Sequence, residues 1–196
     1  MLQLENLKTH LKRGFVYRRE DLAQWSKSVD RHLEELSKEG ILEKLSQGLY
    51  YFPKVTVFGN VPPDENTLVK GFLKDNRFLI MSPNYYNSLG VGTTQLYNST
   101  VIYNHRRHGE FKLGNRIYKF KNKAYFPLKV TEEFLLVDLA NNLNDLAENQ
   151  NEVLNKLLAK VSDMNSPKFK NVVMKYGSAK TRKMFKSILD KEVELA

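Results

Sequence analysis

The residues with most chemical potential lie between Ser82 and Phe126. Glu110-Phe111-Lys112 is an E-x-K on a strand-like stretch. In one large class of Mg-dependent nucleases this spacing puts a metal-holding carboxylate and a Lys on the same strand face. Such a site needs a second carboxylate close by, and the nearest acid upstream is Asp75, 35 positions away. His105-Arg106-Arg107-His108 places two histidines three apart. A metal would want a third ligand and no flanking cations, so the two arginines point this motif toward anions. Gly90-Val91-Gly92-Thr93-Thr94 is glycine-rich but lacks both the Gly-Lys-Ser/Thr ending of a phosphate loop and the dinucleotide fingerprint; it reads as a connection. There is no cysteine, no carboxylate pair set for glycoside chemistry, and no nucleophile elbow. The expectation is a protein without catalytic residues, metal or cofactor.

The same stretch is a better binding surface than an active site. Arg106, Arg107, His108, Arg116, Lys119, Lys121 and Lys123 interleave with Tyr103, Phe111, Tyr118, Phe120 and Tyr125, and Glu110 is the one acid from Ser82 to Phe126. Strand alternation puts Ile117, Lys119 and Lys121 on one face and Tyr118 and Phe120 on the other. A one-sided antiparallel sheet with a basic, solvated face is expected, offering its cations to phosphate or to a protein partner.

These residues need elements to position them. Leu2 to Leu11 reads as a first helix, Phe15-Val16-Tyr17 as a small strand and Arg19 to Trp25 as a second short helix. Ser26 or Ser28 can cap a third helix running to about Glu39, where Gly40 suits the left-handed end position. Two extended runs follow, Ile41–Leu45 and Leu49–Phe52, joined by Ser46-Gln47-Gly48. This is the pattern of a winged helix-turn-helix, with residues 1–56 as a DNA-binding domain. In that geometry the N-terminal half of the third helix meets the major groove. Lys27, Ser28, Arg31 and His32 are the expected readers, with Lys44 and Gln47 on the wing.

Lys54 to Asn60 reads as an extended link, and residues 62–196 as a second, mixed α+β domain. Asp64 can cap a helix from Glu65 to Asp75, and Arg77–Met81 is a strand. Ser82-Pro83 opens a short helix ending at Gly90. Strands are expected at Val101–Asn104, Glu110–Leu113, Ile117–Lys121 and Ala124–Phe126. Helices close the chain, the first capped by Thr131 and carrying its apolar pattern to Leu143. An Asn149/Glu152 capping box, Ser166-Pro167 and Ala179 begin the next three. The fold class expected is α+β.

The net charge is +9 and uneven. Residues 1–53 hold nine basic against eight acidic residues, residues 54–130 twelve against four, and residues 131–196 ten of each. The basic middle favours polyanions through counterion release. No apolar run approaches the roughly 20 residues that span a bilayer. The N-terminus carries charges within its apolar pattern, unlike a signal peptide. A cytoplasmic protein with no membrane partner is expected.

Gly48–Lys54 (GLYYFPK), Phe58–Pro63 (FGNVPP), Ser82–Asn98 (SPNYYNSLGVGTTQLYN), Tyr103–Lys123 (YNHRRHGEFKLGNRIYKFKNK) and Glu133–Leu143 (EFLLVDLANNL) together resemble the AbiEi-type antitoxins of type IV toxin–antitoxin systems, which act in phage defence, and among them the DUF6088 proteins. The likeness runs from about Leu11 to Leu189. It implies a bacterial antitoxin and transcriptional regulator that binds operator DNA through its winged helix. It also implies a C-terminal domain that counters a nucleotidyltransferase-like toxin encoded alongside and can assist DNA binding. It implies no catalytic residues. A protein-interaction module, whose winged helix binds the partner and not DNA, stays open as the second reading.

Overall fold

The computed structural model describes residues 2–164 and 167–191. The first three helices are α1 (Leu2–Thr9), α2 (Arg19–Leu22) and α3 (Val29–Lys38). Strand β1 (Val16–Arg18) precedes α2. The wing strands are β2 (Glu43–Ser46) and β3 (Leu49–Tyr51), and the sheet order is β1-β3-β2, antiparallel throughout. Leu7, Leu11, Leu22, Val29, Leu33, Leu36 and Leu42 form one buried core under it. The period-3.6 stripe Val29, Leu33, Leu36 is what turns α3 inward on that core. Gly40 ends α3 at φ +70° and Gly48 turns the wing at φ +69°, conformations that cost a side chain steric strain.

Lys54 to Asn60 is not a plain link. β4 (Lys54–Thr56) and β5 (Gly59–Val61) form a second hairpin, paired from Lys54↔Val61 to Thr56↔Gly59. Both strands are exposed along their length, so no apolar alternation betrays them in sequence. Asp64 then caps α4 (Glu65–Leu73), its carboxylate accepting from the Thr67 amide.

Further along come β6 (Phe78–Met81), a 3-10 helix (Pro83–Leu89), β7 (Thr100–Asn104), β8 (Gly109–Leu113) and β9 (Arg116–Asn122). β8 and β9 are an antiparallel hairpin around Gly114-Asn115, the turn expected from sequence. Ala124–Phe126 is irregular, not a strand. The helical end is α5 (Glu132–Asn141), α6 (Gln150–Met164), α7 (Pro167–Tyr176) and α8 (Ala179–Lys191). Leu143 falls beyond α5 in a 3-10 turn. Thr131 caps α5 and Asn149 caps α6, but Glu152 pairs with Lys156 and leaves the capping box half made. The expected Ser166 start of α7 lies outside the described residues. The fold is mixed α+β, with antiparallel sheets and C-terminal helices.

The chain divides into two compact units. The first takes residues 1–78 and 106–120, and the second residues 79–105 and 121–196. In the first, the β8–β9 hairpin joins the winged helix: the Gly114 amide donates to the Leu45 carbonyl at 2.7 Å. Phe72 of α4 packs its ring against Phe111 and Phe120. In the second, α5 is buried almost throughout, and 3-10, α6, α7 and α8 residues close on it.

Candidate nucleic-acid interface

Lys27, Ser28 and Arg31 stand exposed at the start of α3. Ser28 is the N-cap by position but its side chain makes no capping bond. The turn is held instead by Ser26, whose hydroxyl accepts from the Ser28 amide at 3.2 Å and bonds His32 Nδ1 at 2.8 Å. His32 is 3% exposed. It therefore cannot reach a groove, and the expectation that it reads bases is corrected: it pins the α2–α3 turn from inside. Its Nε2 lies 3.4 Å from an Arg31 guanidinium nitrogen, so one ring orients both Ser26 and Arg31.

Two ion pairs set the charge around this end. Arg19 grips Asp30 bidentately at 2.8 and 2.6 Å. The Arg19 hydrogen bonds hold the Asp30 carboxyl below its ordinary range, and the pair cancels an acid that would face phosphate. Further along, Lys38 covers Glu34 at 2.7 Å. Glu35 and Glu39 remain exposed on the C-terminal half. The outer face of α3 is thus basic only at its N-terminal end. On the wing, Lys44 (paired in register with Tyr50) and Gln47 are exposed as expected.

The β8–β9 hairpin adds cations to the same unit. Lys119 and His108 are exposed, and Lys119 sits across from Glu110 in the ladder. Arg106 bonds Asp75 at 3.2 Å. Arg107 stacks over the rings of Phe72 and Phe111 at 4.5 and 5.6 Å, a cation–π arrangement that still leaves it exposed. Arg116 is exposed, 3.8 Å from Glu65. Tyr118 and Phe120 are buried and Ile117 and Lys119 exposed, as the alternation required, while Arg116 shares the Tyr118 face by alternation but is exposed at the start of the strand.

Lys121 and Lys123, expected to contact phosphate or a partner, are each engaged by acids of the protein itself. Both fall in the second unit. Lys121 Nζ donates to Asn142 Oδ1 at 2.9 Å and Asp145 at 3.2 Å. Lys123 Nζ lies 3.4 Å from Asp138 and 3.9 Å from the Tyr103 ring centroid. Asp138 has no exposed surface. Its carboxylate accepts from Tyr86 at 2.8 Å and from Tyr103 at 2.8 and 2.9 Å. Burial first, and then the Asp138 charge, push both phenols well above the ordinary tyrosine value, so both remain donors. A signal for this cluster existed: one Asp in the middle of the apolar run EFLLVDLANNL must find buried partners.

The end of the glycine-rich loop is engaged within the protein. The amides of Thr94 and Gln95 both donate at 3.1 Å to Glu148, which also accepts from the Tyr97 hydroxyl. Burial opposes the Glu148 charge, but the Tyr97 bond and these amides outweigh it and hold the carboxyl below its ordinary range. Among the described residues no group of three His, Cys, Asp or Glu is placed to hold a metal ion, and no helix is long and apolar enough to cross a membrane.

Fold and site together define an α+β protein whose first unit is a winged helix extended by a basic hairpin. The chain matches the model of the Family of unknown function (DUF6088) over residues 3–175 and belongs to that family. No curated protein and no solved structure matches it.

Proposed function

We propose that this protein is the antitoxin and transcriptional autoregulator of a type IV toxin–antitoxin system. In this reading the winged helix binds operator DNA, and the C-terminal domain counters a nucleotidyltransferase-like toxin encoded alongside. The observation that carries it is the α3 N-terminus, where Lys27, Ser28 and Arg31 are exposed while Asp30 is neutralised by Arg19. Arg31 is the base reader, since a guanidinium can bond guanine bidentately. Lys44, Gln47, Arg107, Arg116 and Lys119 are the phosphate contacts. Membership of the DUF6088 family over most of the chain supports the resemblance drawn from the motifs.

Gel shift of the DNA upstream of the protein's own gene tests this. Arg31→Ala should cost roughly 1–3 kcal/mol of discrimination, about 5- to 150-fold in specific affinity, and leave non-specific binding intact. Lys119→Ala should weaken all sequences alike and flatten the salt dependence by about one unit. No shift at moderate salt, with co-purification of the neighbouring gene product, would replace this reading by the second one. That reading is a protein-interaction module, and the exposed Glu35 on the C-terminal half of α3 favours it, because an acid there repels phosphate and suits a basic partner.

A further inference from the structure

We infer that a charged cavity at the root of the wing binds a phosphate group, with Arg18, Arg19, Lys74 and Arg107 as its cations and Glu20 as a built-in competitor. The cavity holds about 320 Å³, at the lower end of the roughly 300–1,000 Å³ of small-ligand sites. The four cations line it, and Glu20 is the one acid that does. Gln47 of the wing turn lines it too, and Leu49 and Phe72 give it an apolar wall. All of these residues belong to the first unit. Four cations around one carboxylate leave a surplus of positive charge, which an anion of more than one charge relieves.

The cations are fixed before any ligand arrives. Asp21 holds Arg18 through Nε and Nη2 at 2.7 and 2.9 Å, and Asp30 holds Arg19 in the same way at 2.8 and 2.6 Å. Neither aspartate lines the cavity. Each grip takes part of a guanidinium's N–H donors, so it orients the fork and leaves Nη1 to serve another acceptor. Arg107 lies over the Phe72 ring at 4.5 Å. The Arg19 amide donates to the Gly48 carbonyl at 2.9 Å, which ties α2 to the wing turn. Gly71 lets α4 close on β1, since a Cβ there would come within 2.9 Å of Val16 Cγ1. A preorganised frame of this kind lowers the ordering cost of binding.

Stability alone does not explain Lys74. It ends α4 at φ +56°, the left-handed conformation that suits glycine, and it is the one non-glycine at positive φ among the described residues. The chain accepts that strain and sets an ammonium at the cavity wall. Lys74 Nζ reaches Glu20 Oε1 at 2.6 Å, and Arg18 Nη1 reaches the same oxygen at 3.4 Å. An exposed ion pair contributes little, so this one does not offset a strained backbone. Glu20 Oε1 instead marks a point between two cations where an anionic oxygen sits, and a phosphate presents several such oxygens to the four cations. The phosphate comes from a free nucleotide or from a DNA backbone, and only the second source rests on the operator-binding reading.

Calorimetric titration of the full chain with inorganic pyrophosphate at low salt tests this. The wild type should bind. Lys74→Gly should weaken binding by about ten-fold or more, the worth of one hydrogen bond to a charged group. Its thermal midpoint should hold or rise, because glycine takes the left-handed position without strain. Glu20→Gln should tighten binding, since the competitor loses its charge. Lys175→Ala, which removes an exposed cation of α7, should leave the affinity unchanged. Absence of pyrophosphate binding, equal weakening by Lys74→Gly and Lys175→Ala, or weaker binding in Glu20→Gln overturns the proposal. So does a Lys74→Gly chain with a lowered midpoint and unchanged affinity, which makes the ammonium a structural tie. Displacement of pyrophosphate by a 5′-mononucleotide assigns the site to a free nucleotide, and displacement by duplex DNA alone assigns it to a backbone phosphate. Pyrophosphate binding in a chain that shifts no DNA overturns the operator reading and keeps the cavity. A full gel shift with no pyrophosphate binding does the reverse.

Discussion

His32 and Arg31 are neighbours in sequence with opposite fates, and the difference is set by one face of one helix. At α3 spacing, His32 falls on the side of Val29, Leu33 and Leu36 and is buried, while Arg31 points out. A titratable residue on an inward stripe was legible as a packing residue, since its apolar neighbours recur at i+1, i+4 and i−3. His32→Ala should lower stability by about 1–3 kcal/mol, the cost of removing one of the two hydrogen bonds of the Ser26 hydroxyl and leaving a void beside it. Chemical denaturation measures this. A loss of DNA affinity at full stability would instead return the ring to the interface. Asp138 is the stronger case at this scale. Removing its carboxylate in Asp138→Ala leaves the Lys123 ammonium and two buried phenols without their acceptor and should cost about 3–5 kcal/mol. Lys123→Met should cost clearly less, because Tyr86 and Tyr103 still donate to the carboxylate. Equal losses in the two variants would make the ammonium, not the phenols, the partner that matters. Lys123 could not be placed from sequence because strand alternation predicts a face but not a partner 15 residues on.

At the scale of elements, helices were legible because each carries its own apolar period, and the wing because Gly48 marks its turn. The β4–β5 hairpin was not, because an element with no buried face has no pattern to read. The Gly90–Thr94 loop shows a third situation. Its glycines look like a phosphate cradle, yet its neighbouring amides are taken by Glu148, more than 50 residues away. The Glu148 carboxyl is held below its ordinary value, so its ionised form is the one the fold favours. Its contribution is present above the unfolded value of about 4.3 and is lost as pH falls through the lower folded one. Thermal midpoints of the wild type and Glu148→Gln should differ by a constant amount above about pH 5. The gap should close in more acid solution, where the wild-type carboxyl also becomes neutral. A gap that persists at low pH would show that shape, not charge, holds the loop.

For the whole molecule, the sequence offers only linear cuts, whereas the first compact unit takes residues 106–120 back from the middle of the chain. Charge foreshadowed this. The N-terminal 53 residues are nearly neutral, and the basic hairpin gives the winged helix cations it lacks. The packing is equally specific. Phe72 meets Phe111 and Phe120, Arg107 caps the Phe72 ring, and the Gly114 amide takes the Leu45 carbonyl of the wing strand. A fragment of residues 1–78 alone would expose the Phe72 ring and return that carbonyl to water. At about 0.5–1.5 kcal/mol for each aromatic pair beyond its buried area, the loss is a sizeable part of a small domain's stability. Residues 1–78 joined through a flexible Gly/Ser linker to residues 106–120 should therefore melt several degrees above residues 1–78 alone, followed by circular dichroism. The joined fragment should also bind DNA with a steeper salt dependence, since Arg107, Arg116 and Lys119 return with the hairpin. If the two fragments melt together, the hairpin is a passenger on the winged helix and its cations serve some other surface.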